Sequence, residues 1–175
     1  MNNKYLSNIL RFTGVLAIQL LILDNVHLVG FIVPIIYVYF IMKLPFGTKR
    51  LLVLFLSFIM GITIDLFVGT YGIHAAATTL IGFFRRFFLK ISFGEIEDDH
   101  ENSPSIKEKG FYPFLAYTTL LAGIQITTFF LLENIGYDFS PILIGRILAS
   151  VGFSVFLIIL IEFLAQSPQK KKRAI

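Results

Sequence analysis

The sequence predicts an all-α integral membrane protein with six transmembrane helices and with its N and C termini cytoplasmic. Three observations predict it. Hydrophobic residues make up 56% of the 175 positions and charged residues 15%, with a mean hydropathy of +0.80; soluble domains average about 25% charged. Apolar runs recur at about 9–23, 28–42, 51–68, 73–89, 111–132 and 142–164, near the length that crosses a hydrocarbon core of about 30 Å. Fourteen of the 15 Lys and Arg residues lie at one alternating set of run ends, the asymmetry of the positive-inside rule. Arg146 is the exception.

The runs follow one another with short breaks. Lys4 and Arg11 stand at the head of the first run, and no small-x-small cleavage site follows, so it reads as an uncleaved first helix. Asp24 to His27 breaks the chain. The second run contains Pro34, acceptable near a helix start or at a kink whose freed carbonyl a neighbour satisfies. Lys43 to Arg50 is a short basic turn. The third run carries Asp65, and GTYG (Gly69 to Gly72) turns the chain into the fourth.

In the fourth run, Arg85, Arg86 and Lys90 share one arc at about 100° per residue, and Phe83, Phe84, Phe87, Phe88 and Ile91 share the other. Two readings follow. The helix leaves the core and lies in the interface with Arg85, Arg86 and Lys90 on lipid headgroups, or it is a straight span whose arginines snorkel. Residues 94–110 form an acidic cytoplasmic loop. Its carboxylates crowd together without ligand spacing, which marks a solvated charge patch and not a metal site. The basic tail at 166–175 reads as an anchor on anionic lipid, with Lys170 to Arg173 neutralising Glu162.

Composition and motifs narrow the function classes. With no Cys there are no disulfides, thiolate metal sites or cysteine nucleophiles. The cations are scattered among loops, which argues against nucleic acid. No phosphate-binding glycine loop, H-E-x-x-H or G-x-S-x-G occurs. Only Asp65 with His74 offers an acid–base pair, so a non-enzymatic protein without cofactor or metal is expected.

Asp65 stands out. It lies about 21 Å from the start of its run at 1.5 Å per residue, where a carboxylate costs roughly 2.5–3.5 kcal/mol. Ser57, Gly61, Asp65 and Gly69 recur every four positions and share one helix face, and the glycines admit close approach by another helix. Either Asp65, with Gly61, Gly69, Gly72 and His74, binds a partner helix or small polar ligand from the outer side, or it caps the GTYG turn. His74 either pairs with Asp65 across the hairpin or is solvated at the interface. Arg146 pairs with Glu133 or Asp138, or contacts an anionic lipid or partner. Gln19 and Gln125, in mid-span, are expected to join helices by hydrogen bonds.

Residues 55–85, FLSFIMGITIDLFVGTYGIHAAATTLIGFFR, resemble the signature hairpin of the bacterial rod-shape-determining membrane protein family MreD. The matching elements are Gly61, Asp65, Gly72, His74 and the Ala75 to Ala77 run leading into a basic segment; Gln19, Pro34, size and span number agree in outline. The resemblance implies a non-enzymatic scaffold of the inner (plasma) membrane, part of the cell-elongation machinery that builds peptidoglycan. Its implied partner is MreC, a single-span protein with a periplasmic domain. Through it the scaffold would couple MreB filaments to RodA and a class B penicillin-binding protein. The family is also similar in fold to the substrate-binding components of energy-coupling-factor transporters, which implies the alternative of a vitamin-type transporter subunit.

Overall fold

In a computed structural model, the described residues are 2–23, 31–94, 102–136 and 140–165, with side chains described from residue 8 onward. The expected break at 24–27, most of the acidic loop, Asp138 and the basic tail lie outside them. The regular structure is helical: α1 (Asn2–Ile18) running into a π-helical turn (Gln19–Leu23), α2 (Val38–Met42), α3 (Arg50–Val68), α4 (Ile73–Phe93), α5 (Ile106–Lys109), α6 (Phe111–Glu133) and α7 (Pro141–Ala165). Three helices, α3, α6 and α7, are long and apolar enough to cross a membrane.

In the α3–α4 hairpin the buried residues recur at helical spacing and glycines punctuate the turn, whereas α6 and α7 are apolar all round. In α4 the buried set is His74, Ala75, Ala77, Thr78, Ile81, Gly82, Arg85, Phe88 and Leu89, a single stripe at three- and four-residue intervals. That stripe lies between α3 and α6, and α6 in turn packs on α7. Gly69 ends α3 in the left-handed conformation (φ 79°) and Gly72 precedes α4 at φ 89°, a backbone region where a Cβ is penalised. Ser57, Thr63, Thr78 and Thr118 each donate their hydroxyl proton to the carbonyl four residues back, which satisfies it within the helix.

The second apolar run departs from the expected helix. Among its described residues it is helical only over Val38–Met42, and residues 33–36 have no regular secondary structure. Yet this is the heart of the molecule: Ile35 through Met42 are all buried, and α2 touches α1, α3, α4 and α6. Buried irregular backbone needs partners for its polar groups, and here side chains supply them one by one. Ser150 Oγ accepts the Val33 N–H at 3.0 Å and Ser154 Oγ accepts the Ile35 N–H at 2.9 Å, both from α7. Gln19 spans two groups, its Oε1 accepting the Ile36 N–H at 2.9 Å and its Nε2 donating to the Pro34 carbonyl at 3.0 Å. Gln19 thus joins a helix to an irregular segment and not to another helix.

α4 is one continuous helix through the Arg85–Arg86 pair. Neither cation arc nor phenylalanine arc has a single environment: Arg85 and Phe88 face the core, whereas Arg86, Lys90, Phe83 and Phe87 are exposed. Arg85 is 3% exposed and donates to the carbonyls of Ile41 (3.0 Å), Leu44 and Pro45 (3.4 Å). It closes the end of α2, where carbonyls lack intrahelical donors and a cation is favoured. The expectation that Arg85 contacts headgroups is therefore corrected; Arg86 and Lys90 keep their exposure.

Candidate functional site

The α3–α4 hairpin is built around the Asp65 carboxylate. Its Oδ1 accepts from Thr70 Oγ1 at 2.5 Å and from the His74 N–H at 3.0 Å, and its Oδ2 accepts from the Ala75 N–H at 2.8 Å. Its backbone carbonyl takes the N–H groups of Gly69 (2.9 Å) and Thr70 (3.1 Å). Gly72, at the N-cap position of α4, has no side chain to cap the helix. Asp65 supplies that cap from the preceding helix, placing a carboxylate against the positive end of α4. Of the two readings of Asp65, the capping one is what the geometry shows, and the residue is 3% exposed.

Gly61 makes this possible. A Cβ there would meet the Ala75 Cα, with the His74 carbonyl oxygen at 2.6 Å and the Ala75 nitrogen at 2.7 Å. Further along, a Cβ at Gly82 would run into Ser57 Oγ. The Ser57–Gly61–Asp65 face is thus occupied by α4 of the same chain and is not open to an outside helix or ligand. Gly69 and Gly72, by contrast, lie in the α3–α4 turn beside Tyr71, which is fully exposed.

His74 belongs to a different constellation. Asp65 takes its backbone N–H, whereas its ring Nδ1 lies 2.7 Å from Tyr37 Oη and its face lies against Phe129, centroids 4.8 Å apart. The expected Asp65–His74 side-chain couple is not formed, and His74 is buried, not solvated. Gln125 Nε2 donates to Tyr37 Oη at 2.6 Å and to Thr78 Oγ1 at 3.3 Å. Thr78 spends its own proton on the His74 carbonyl at 2.6 Å, so it must accept from Gln125. Tyr37 Oη accepts from Gln125 and shares a hydrogen bond with His74 Nδ1, whose direction follows the imidazole tautomer. The result is a buried polar network from α6 through Tyr37 to α4. Gln125 Oε1 is buried with no hydrogen-bond partner among the described residues.

A second polar centre lies at the other end of the bundle, and sequence reasoning missed it. Lys43 Nζ sits 3.1 Å from both carboxylate oxygens of Glu162 and donates to the Pro104 carbonyl at 2.7 Å. Tyr39 Oη donates to Glu162 Oε2 at 2.9 Å, and Arg11 donates to the Lys43 carbonyl at 3.1 Å. Burial pulls the Lys43 ammonium below the ordinary lysine value, with the Glu162 carboxylate acting in the opposite sense. Glu162 is therefore neutralised by Lys43, where the basic tail was expected. A lone carboxylate inside an otherwise apolar final run was the available signal.

Arg146 also differs from expectation. Its Nε donates to the Phe31 carbonyl at 3.4 Å and its guanidinium lies over the Phe130 ring at 4.9 Å; among the described residues it forms no ion pair with Glu133. Among the described residues, no group of three or more His, Asp or Glu side chains is arranged to hold a metal ion. No family model, no curated protein and no solved structure matches the chain.

Proposed function

We propose that the chain is a multi-pass scaffold of the bacterial inner membrane, non-enzymatic, that serves the cell-elongation and peptidoglycan-synthesis machinery by holding an MreC-like single-span protein. In this reading the six apolar runs all traverse the bilayer, both termini are cytoplasmic, and the second traverse is the interrupted run at 28–42. MreB filaments, RodA and a class B penicillin-binding protein are reached indirectly, through the bound protein.

The observation that carries it is the role of the hairpin residues. Gly61, Asp65, Gly72 and His74, on which the MreD resemblance rests, are spent on joining α3 to α4, and the acid–base pair that an enzyme would need is not assembled. That supports an architectural protein over a catalytic one. The surface left for a partner is the outer turn, with Tyr71 projecting from it and Leu66 and Phe67 exposed beneath. One observation favours the transporter alternative, an interrupted run at the bundle centre, as transporters place near their substrate sites. Its polar groups, however, are filled by Gln19, Ser150 and Ser154.

The test is affinity purification of the full chain from native membranes in mild detergent, with a Tyr71→Ala version in parallel. Recovery of a single-span protein with a large periplasmic domain, reduced in the Tyr71→Ala sample, is the expected result. Recovery of an ATPase pair with a membrane coupling subunit would replace the scaffold reading with the transporter one.

A further inference from the structure

A cleft of about 240 Å³ opens where the first turn of α3 meets the second half of α4. At about 30 Å³ per water it would hold roughly eight waters, room enough for a phosphate group and its linkage. Thr48, Lys49 and Arg50 line one side, and Gly82, Arg85 and Arg86 the other. Four of these are cations, and no carboxylate among the described residues lines the cleft.

Three features distinguish it from scattered surface charge. Arg85 is 3% exposed, and its hydrogen bonds go to the carbonyls of Ile41, Leu44 and Pro45, so its position is fixed while its charge meets no carboxylate in those bonds. The carbonyls hold the cation without cancelling its charge, so its field still favours an anion in the adjacent cleft. Secondly, α3 begins at the cleft with no side-chain cap from Lys49. Its first-turn N–H groups therefore keep their capacity to donate, at the positive end of the helix. Thirdly, Arg50 stacks on Phe83 at 4.4 Å, which fixes its guanidinium at the rim.

We propose that this cleft binds a phosphate-bearing anion, either the headgroup phosphate of an anionic lipid or a soluble phosphate ester. The site differs from the patch that the sequence suggested: Lys90 lies outside it, and Lys49 and Arg50 belong to it. The planar guanidinium group of Arg50 suits phosphate oxygens in paired hydrogen bonds, with Lys49 and Arg86 adding positive charge. The inference is independent of the scaffold reading, since it needs only the cleft and its charges.

The full chain in uncharged detergent is titrated with short-chain phosphatidylglycerol and, separately, with glycerol phosphate, and binding is read by native mass spectrometry. Lys49→Gln, Arg50→Gln and Arg86→Gln replace exposed side chains, whereas Arg85 is left in place because it holds α2. Each replacement is expected to weaken binding about fivefold, and the triple variant about a hundredfold, with unchanged circular dichroism. Lys90→Gln, exposed on the same helix, is expected to leave binding unchanged. Binding of the lipid alone assigns the lipid source, and binding of glycerol phosphate assigns the soluble ester. Failure of both probes to bind overturns the proposal. So does a triple variant that binds like the unmodified chain, or a Lys90→Gln variant that loses as much as the others.

Discussion

Gly61→Ala adds one methyl group and is expected to open the α3–α4 hairpin. The new Cβ would stand 2.6 Å from the His74 carbonyl oxygen and 2.7 Å from the Ala75 nitrogen, where ordinary contact is about 3.5 Å. These neighbours are backbone, so no rotamer relieves them, and the helices must part by nearly 1 Å. Overpacking of this kind costs about 1–3 kcal/mol. The same displacement draws the His74 and Ala75 N–H groups away from Asp65, whose bonds to them are 3.0 and 2.8 Å; losing a cap costs a further 0.5–2 kcal/mol, roughly. The total is about 1.5–5 kcal/mol. Gly123→Ala is the control: it too lies inside a long helix, but a Cβ there meets nothing within 4 Å, so it is expected to be neutral or stabilising by up to about 1 kcal/mol. Both variants are unfolded with denaturing detergent in mixed micelles, followed by circular dichroism. A Gly61→Ala midpoint equal to that of Gly123→Ala would refute the close-approach argument.

Other substitutions test the remaining polar contacts by the same unfolding assay. Lys43→Met leaves Glu162 buried without its cation and is expected to cost about 3–5 kcal/mol, whereas Lys43→Met with Glu162→Leu recovers most of that loss; equal losses in the single and double variants would contradict the pairing. Ser154→Ala strands the Ile35 N–H and is expected to cost about 1–3 kcal/mol, with faster hydrogen exchange at that amide than in the unmodified chain. Asp65→Asn keeps one acceptor of the cap and Asp65→Leu keeps none, so destabilisation should rise from about 1 kcal/mol in the first to at least 2 kcal/mol in the second; a reversed order would remove Asp65 from the capping role.

The hairpin was legible in the sequence because its grammar is local. Glycines at a turn, a carboxylate one helical turn earlier and small residues at four-residue spacing fall within reach of one another, and α3 and α4 begin and end close to the expected positions. The second run was not legible. A continuous apolar stretch has no period that separates buried irregular backbone from buried helix, and what satisfies the irregular segment lies elsewhere in the chain, on Gln19, Ser150 and Ser154. The only hints were Pro34 itself and hydroxyls at four-residue spacing in an otherwise oily last helix. Arg85 was misjudged because it was grouped with its neighbour. Consecutive residues on a helix point about 100° apart, and Arg85 shares its direction with Ile81, Phe88 and Leu89 instead of Arg86. Lys43 was read as one cation of a loop, since no local feature tells which loop cation will find a buried acid 119 residues later.

The pinned segment has a consequence for biosynthesis. Its donors at Val33 and Ile35 wait for acceptors 117 and 119 positions downstream, so they emerge long before their partners exist. At about 5–20 residues per second, that interval is roughly 6–24 s of translation. Until α7 has been made, those amides must bond elsewhere, to water or within a transient helix. Completion of the core is therefore tied to synthesis of α7, and a chain that stops before Ser150 leaves both amides without their native acceptors.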